Sequence, residues 1–349
     1  MQYYWTMQSA KPTPTMADVA TLAGVSNQTV SRVLNNQPFV SANARQRVND
    51  AIATLGYRRN SAARALVTGS SRILGLLVTN ASMTGPSGAS LAIEQMARAK
   101  GYWVSLAGLR SNDPEENRAV ISHFIDQGVE GIVAVAQTQQ CVDTTLETAG
   151  GMPTVLVTSG AVPSGHPTVD IDQADGVVQL MTHLRELGHT RIAHISGPRD
   201  DLHADVRVAA WRAALSPEQP DDLLLVHGDW SSASGYQAAQ ALLRGSAHPT
   251  AIVSSNDQMA FGALLALHEA GISVPEGISI VGFDNVEGSD FTIPPLTTIR
   301  QNHDALGAAA MTLLLEAMAH KPARSLKVPA ELILRASTAP LATSSPAIG

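Results

Sequence analysis

Between residues 73 and 283 the sequence keeps returning to apolar runs of strand length: ILGLLV, WVSL, GIVAVA, TVLVT, RIAHIS, AIVSS and ISIVGF. Amphipathic stretches long enough for helices lie among them, at 174–187, 205–215, 233–243 and 258–270. A short continuous apolar run suits a strand buried on both faces, and alternation of strand with helix supplies the cover for those faces. The pattern therefore predicts open parallel sheets with helices on both sides. Seven such strands exceed one small domain and fit two similar lobes, a body expected to span residues 72–340, with a disordered tail at 341–349.

The 349 residues leave room for more than this body, and a hydrophobic content of 44% supports packed cores. The single cysteine, Cys141, excludes a disulfide within the chain and a Cys-rich zinc site. It falls in TQQCVD, read as a polar loop carrying an exposed thiol without a paired base. No apolar run reaches the roughly 18 residues of a membrane span. The opening MQYYWTMQSAKPTPTM lacks a basic segment followed by an apolar core, so it does not read as a secretory signal. Residues 1–14 are expected to form a disordered leader, with Met7 and Met16 as alternative starts, and the cytoplasm is the expected compartment. The sequence has no phosphate-binding Walker loop, H-E-x-x-H, G-x-S-x-G or dinucleotide fingerprint, and His183, His189 and His194 have no metal-ligand spacing. An enzyme is therefore not expected, nor a cofactor or a metal.

Charge is unevenly spread. Residues 1–70 hold seven cationic side chains against Asp18 and Asp50, a net +5, while the whole chain carries -7. A basic head on an acidic body suggests that the head alone meets a polyanion. Within it, Thr15 and Asp18 have capping-box spacing, and Met16, Val19, Ala20 and Ala23 form an apolar stripe. Gly24 turns the chain. Ser26 caps a second helix with Val30, Val33 and Leu34 inward. Ser41 caps a third, whose inner face is Ala44, Val48, Ala51, Ile52 and Leu55, and Gly56 ends it. Two short helices about a tight glycine turn make a helix-turn-helix. Its second helix would read the major groove: Asn27 or Gln28 can pair with adenine, and Arg32 can fork onto guanine. Thr15, Ser26, Thr29, Ser31 and Asn35 suit phosphates. The plainer reading of the same residues is a solvated face of a small bundle.

MADVATLAGVSNQTVSRVLN resembles the head of the lactose/galactose-repressor (LacI-type) family of transcription factors, and GDWSSASGYQA, SSNDQMAFGAL, ISIVGFDN and IPPLTTIRQ extend that resemblance from about Thr15 to Thr338. The resemblance implies an all-α helix-turn-helix DNA-binding head at 15–59, a hinge helix and linker at 60–71, and an α/β body with the two-lobed fold of periplasmic sugar-binding proteins. The chain would cross between lobes near Ile171, Thr298 and Ala330, giving one lobe about 72–171 and 301–330 and the other about 172–300 and 331–340. In the hinge, Asn60, Ala63 and Leu66 would contact DNA, with Leu66 wedged into the minor groove. Arg59 stands where the family usually has proline.

Ligands of such sheets bind beyond the carboxyl ends of the strands. By resemblance, Arg207, Trp230, Asn256, Asp284 and Gln301 would bind a neutral, galactoside-like sugar there, with Thr79 and Thr158 beside them. Taken singly, Asn256 could be only a helix cap, Asp284 only a turn residue and Trp230 only core. Relative to the lactose-repressor branch of the family, Thr158 stands for an aspartate, Ile171 for a phenylalanine and Val135 for an asparagine. The expected partners are palindromic double-stranded operator DNA, a sugar effector and a second copy of the chain. The end, STAPLATSSPAIG, lacks heptads, so the expectation is a homodimer with no membrane association. The rival reading is an exported sugar receptor with the same body fold, which the basic head opposes.

Overall fold

The computed structural model describes residues 14–58, 69–109, 113–215 and 224–341. The chain divides into two compact units, Met1–Ser71 and Arg72–Gly349.

In the first unit, three helices, α1 (Met16–Ala23), α2 (Asn27–Leu34) and α3 (Ala42–Leu55), start and stop where the local chemistry dictates. The Thr15 hydroxyl accepts from the Asp18 amide, and the Asp18 carboxylate reaches back to the Thr15 amide, so both exposed donors are satisfied. Those bonds hold the Asp18 carboxyl below its ordinary pKa. Gly24 ends α1 at φ +63°, a left-handed position that costs a residue with a Cβ. Ser26 and Ser41 cap the next two helices through the amides of Thr29 and Ala44. Val19, Ala20, Ala23, Val30, Val33, Val48 and Ala51 form the core, with Leu34, Ile52 and Leu55 half-buried against it.

The second unit contains two lobes with parallel sheets. The first lobe's sheet has six strands: β1 (Ile73–Thr79), β2 (Trp103–Leu109), β3 (Ile132–Val135), β4 (Thr154–Val157), β5 (Thr168–Ile171) and β11 (Ser325–Val328), in the order β11-β5-β4-β3-β1-β2. Every pair in it is parallel. It is covered by α4 (Thr84–Ala99), α5 (Pro114–Asp126), α6 (Gln139–Ala149) and α11 (His303–Met318). The second lobe has β6 (Ile192–Ser196), β7 (Leu225–His227), β8 (Ala251–Ser254) and β9 (Ser279–Val281) in the order β7-β6-β8-β9, again all parallel. Its helices are α7 (Gln173–Glu186), α8 (Leu202–Ala213), α9 (Ser232–Arg244) and α10 (Asp257–Glu269). An antiparallel pair, β10 (Thr298–Arg300) with β12 (Glu331–Ile333), lies where the chain passes between lobes.

Two sequence expectations change. Cys141 lies not in a loop but in the first turn of α6, buried, with its sulfur close to the Asn117 amide and the Thr145 hydroxyl. Burial pushes its thiol up to about 11, so it is neither exposed nor a ready nucleophile. The short strands β5, β7, β10, β11 and β12 add to the seven apolar runs. The β5 run TVDI is broken by Asp170, and β11 is an edge strand with Ser325 and Lys327 exposed. Among the described residues no helix is long and apolar enough to cross a membrane.

Candidate functional site

The carboxyl ends of both sheets open onto one cavity of about 270 Å³, a size suited to a small ligand. Val135, Val157 and Ile171 reach it from the ends of β3, β4 and β5. Arg207, Trp230, Asn256 and Asp284 reach it from the second lobe, and Gln301 from a crossing. Thr79 and Thr158 are buried and do not line it. The Thr79 hydroxyl is held by the Val135 carbonyl and the Gln137 amide, and the Thr158 hydroxyl accepts from the Gly160 amide.

Arg207 is the centre of the wall. Helix α8 begins because the Asp201 carboxylate accepts from the amides of His203 and Ala204, at 3.0 and 3.1 Å. Arg207 then faces inward, buried. Its Nε and Nη2 donate to Gln173 Oε1 at 2.9 and 2.6 Å, and Nη1 donates to the Ser255 carbonyl. A guanidinium has five N–H groups, so two remain for a ligand. The group lies over the Phe283 ring at 3.7 Å and 4.0 Å from Asp284. Burial opposes its charge, and the carboxylates of Asp284, Asp201, Asp170 and Asp257 support it. Burial also pushes the Asp284 carboxyl up to about 7, with Arg207 pulling in the other direction. Gln301 Nε2 donates to Asp284 Oδ1 at 2.5 Å.

The aromatic face is set by strain and by the absence of a side chain. Trp230 sits at φ +72° and Asp284 at φ +110°, both unusual for residues with a Cβ. The indole lies flat on Gly197, where an added Cβ would stand 2.2 Å from the ring. Trp230 Nε1 donates to Asp201 Oδ2 at 3.4 Å. Asn256 does both things the sequence allowed. It caps α10 through the Met259 amide, donates to the Trp230 carbonyl at 3.0 Å, and lines the cavity.

Sequence reasoning missed Asp170, Gln173, His203 and His303, all on the cavity wall. His203 was within reach of it, because it precedes Arg207 by four residues and so shares its helix face. His203 Nε2 lies 3.5 Å from Asp170 and Nδ1 lies 3.9 Å from Asp201. Burial works against its protonation, but the two carboxylates prevail and raise its pKa. Among the described residues no group of His, Cys, Asp and Glu could hold a metal ion.

In the first unit, Asn27, Gln28, Arg32 and Asn35 are exposed along α2, with Thr29 and Ser31 half-buried. The Thr29 hydroxyl lies 3.0 Å from that of Ser26, and Asn35 Nδ2 donates to the Ser31 hydroxyl at 3.4 Å. Thr15 is exposed at the start of α1. Asn60, Ala63 and Leu66 fall outside the described residues.

Two family models match the chain: bacterial regulatory proteins of the lacI family over residues 15–60, and a periplasmic binding protein-like domain over 181–338. The lactose operon repressor of Escherichia coli (strain K12) is 34% identical over 302 residues, covering 86% of this chain and 84% of that protein. The HTH-type transcriptional repressor PurR of Klebsiella pneumoniae (strain 342) is 34% identical over 332 residues, covering 93% and 97%. Among solved structures, the Lac repressor dimer bound to operator and the anti-inducer ONPF matches with a TM-score of 0.83 and 32% identity, over 94% of this chain and 99% of that one. A complex of the transcriptional regulator CelR with cellobiose matches with a TM-score of 0.70 and 29% identity, over 93% and 99%.

Proposed function

The chain belongs to the lacI family of bacterial regulatory proteins, DNA-binding transcriptional repressors, and from that premise we propose that it is a homodimeric repressor whose operator affinity is changed by a neutral saccharide bound between the lobes. The observation that carries the ligand class is the wall itself. Arg207 offers two free donors, Trp230 a flat face, Asn256 and Gln301 amides, and Asp284 an acceptor. These groups suit hydroxyls and the apolar face of a pyranose. The one guanidinium is already surrounded by carboxylates, which disfavours a phosphate or other anion. The structure of CelR solved with cellobiose supports the same reading.

On DNA, α2 is the recognition helix, with Arg32 on a guanine and Asn27 or Gln28 on an adenine. Thr15, Ser26, Thr29, Ser31 and Asn35 position it on phosphates, while Asn60, Ala63 and Leu66 act in the hinge between residues 60 and 71. A palindromic site calls for two copies related by a two-fold axis. Leu91, Trp103 and Leu106 expose apolar surface on the first lobe, material for such an interface. The mechanism is a population shift: saccharide and operator favour different arrangements of the lobes, so each changes the affinity of the other by the same factor.

The test pairs calorimetry with a mobility-shift assay on operator DNA selected by the protein. The ligands are galactosides, glucosides, pentoses and sugar phosphates. A neutral sugar should bind and change the shift, and Arg207→Ala should remove both effects while operator binding persists. Binding of a sugar phosphate with no neutral sugar bound refutes the reading.

A further inference from the structure

The residues assigned so far to the ligand lie on the second lobe or at a crossing, which leaves the first lobe without an assigned polar contact. Thr158 and Thr79 are turned into the protein. The carboxylate that the first lobe does present to the cavity is Asp170, near the end of β5. It is nearly buried, and its surroundings account for only half of what it can accept. Ser159 donates to Oδ2, and His203 approaches Oδ1 from the opposite lobe. A carboxylate has about four acceptor positions, so about two are left on a residue that lines the cavity. A nearly buried acceptor with unused capacity is costly unless a ligand or water completes it.

The charge balance narrows what can complete it. Burial works against a proton on His203, but Asp170 and Asp201, 3.5 and 3.9 Å from its ring nitrogens, raise its pKa, so Asp170 already faces a basic partner. An ammonium would have to compete with that ring. A hydroxyl needs only a lone pair.

Resting on the saccharide reading above, we propose that Asp170 is a specificity-determining residue that accepts one or two hydroxyls of the bound sugar from the first lobe, with His203 as the positioning residue that clamps it across the cleft. Asp170 thereby supplies, from β5, an acidic acceptor that the end of β4 lacks where Thr158 stands. The clamp has a consequence for selectivity. The acceptor is in place only when the lobes are together, so a sugar lacking the hydroxyl read by Asp170 loses the contact that rewards closure. An amino sugar gains nothing over its neutral parent.

The experiment measures affinity by calorimetry for the full chain, first with galactose, glucose, xylose, lactose and cellobiose. For the tightest binder, the monodeoxy analogues and the amino analogue follow, against wild type, Asp170→Asn and His203→Gln. Thermal unfolding of each variant controls for folding. The expected result is that the wild type binds at least one deoxy analogue about ten- to a hundredfold more weakly than the parent, the loss of a hydrogen bond to a charged acceptor. Asp170→Asn should bind the parent more weakly and discriminate against that same analogue far less. His203→Gln should weaken parent and analogue alike while keeping the discrimination. Equal discrimination by wild type and Asp170→Asn against every deoxy analogue overturns the inference and leaves the saccharide reading standing. Preference for the amino sugar over its parent overturns it as well. If the wild type binds none of the five sugars, the saccharide reading falls and takes this inference with it.

Discussion

Asp284→Asn isolates the electrostatic cost of the cleft. Asp284 is an acid with an ordinary value of 3.8 that burial pushes up to about 7 in the folded protein. The folded state therefore binds the proton more tightly than the unfolded chain. Such a group contributes stability that is full below 3.8 and is lost as pH rises through 7. Between pH 5 and pH 8, with 1.36 kcal/mol per tenfold change, the wild type should lose about 2.5 kcal/mol from this group alone. Asparagine keeps the oxygen that accepts from Gln301 and has no proton to lose. The attraction of the Arg207 guanidinium 4.0 Å away favours only the ionised form, and its effect is already contained in the value of about 7. Whatever the offset at pH 5, the melting temperature of the variant should gain on the wild type by roughly 5–10 °C between pH 5 and pH 8, taking 2–4 °C per kcal/mol for a domain of this size. Thermal unfolding followed by tryptophan fluorescence at constant ionic strength reads it, because Trp211 and Trp230 both lie in the second lobe. Parallel curves for the two proteins across that pH range would refute the assignment of a raised carboxyl at this position.

Four further outcomes are expected. Arg32→Ala should weaken operator binding by about 1–3 kcal/mol and relax preference at one G·C pair, read by selection of bound sequences; undiminished selectivity would mean α2 is not placed as described. Gly262→Ala should cost about 3 kcal/mol or more in denaturant unfolding, because its Cβ would stand 1.8 Å from the Ser232 carbonyl of α9, backbone that cannot step aside. In an Asp284→Asn background, where the neighbouring acid no longer titrates, His203→Gln should be less stable than its parent below pH 6.5 and equal to it once pH passes the raised value of His203, since Asp170 and Asp201 hold its proton against Arg207. Sedimentation at micromolar concentration should give about 73 kDa, twice the 36.6 kDa chain, and a stable tetramer would contradict the homodimer reading.

What was legible in the sequence was whatever local chemistry settles without help. The capping box at Thr15, the left-handed turns at Gly24 and Gly56 and the apolar runs of the central strands need only neighbours in sequence. What was not legible depended on distant partners. β11 joins its sheet beside β5, about 155 residues away, and its Ser325 and Lys327 alternate outward, so no apolar run announces it. Cys141 reads as exposed because its neighbours are polar, yet Gln140 faces outward while the cysteine turns in against Asn117 on the preceding helix, α5. Asp170 interrupts an otherwise apolar strand, and its reason is a histidine 33 residues later in the other lobe.

That last pairing bears on how a ligand can move the lobes. Among the described residues, the polar links that join them around the cavity include His203 to Asp170 at 3.5 Å, Gln258 Nε2 to the Thr84 hydroxyl at 2.8 Å, and the Leu202 amide to the Gln137 carbonyl at 2.9 Å. Each is worth about 1 kcal/mol net, somewhat more where charge is involved. Their sum is a few kcal/mol, close to what separates two arrangements in which the minor one is still populated. A preference of that size can be reversed by a ligand whose affinities for the two arrangements differ by two to four powers of ten. A cleft closed by an apolar interface of the same extent would lie beyond the reach of a small saccharide, and one with no links would have nothing to reverse. On the proposed saccharide reading, contacts of this polarity set a preference that a weakly interacting, hydroxyl-rich molecule can shift.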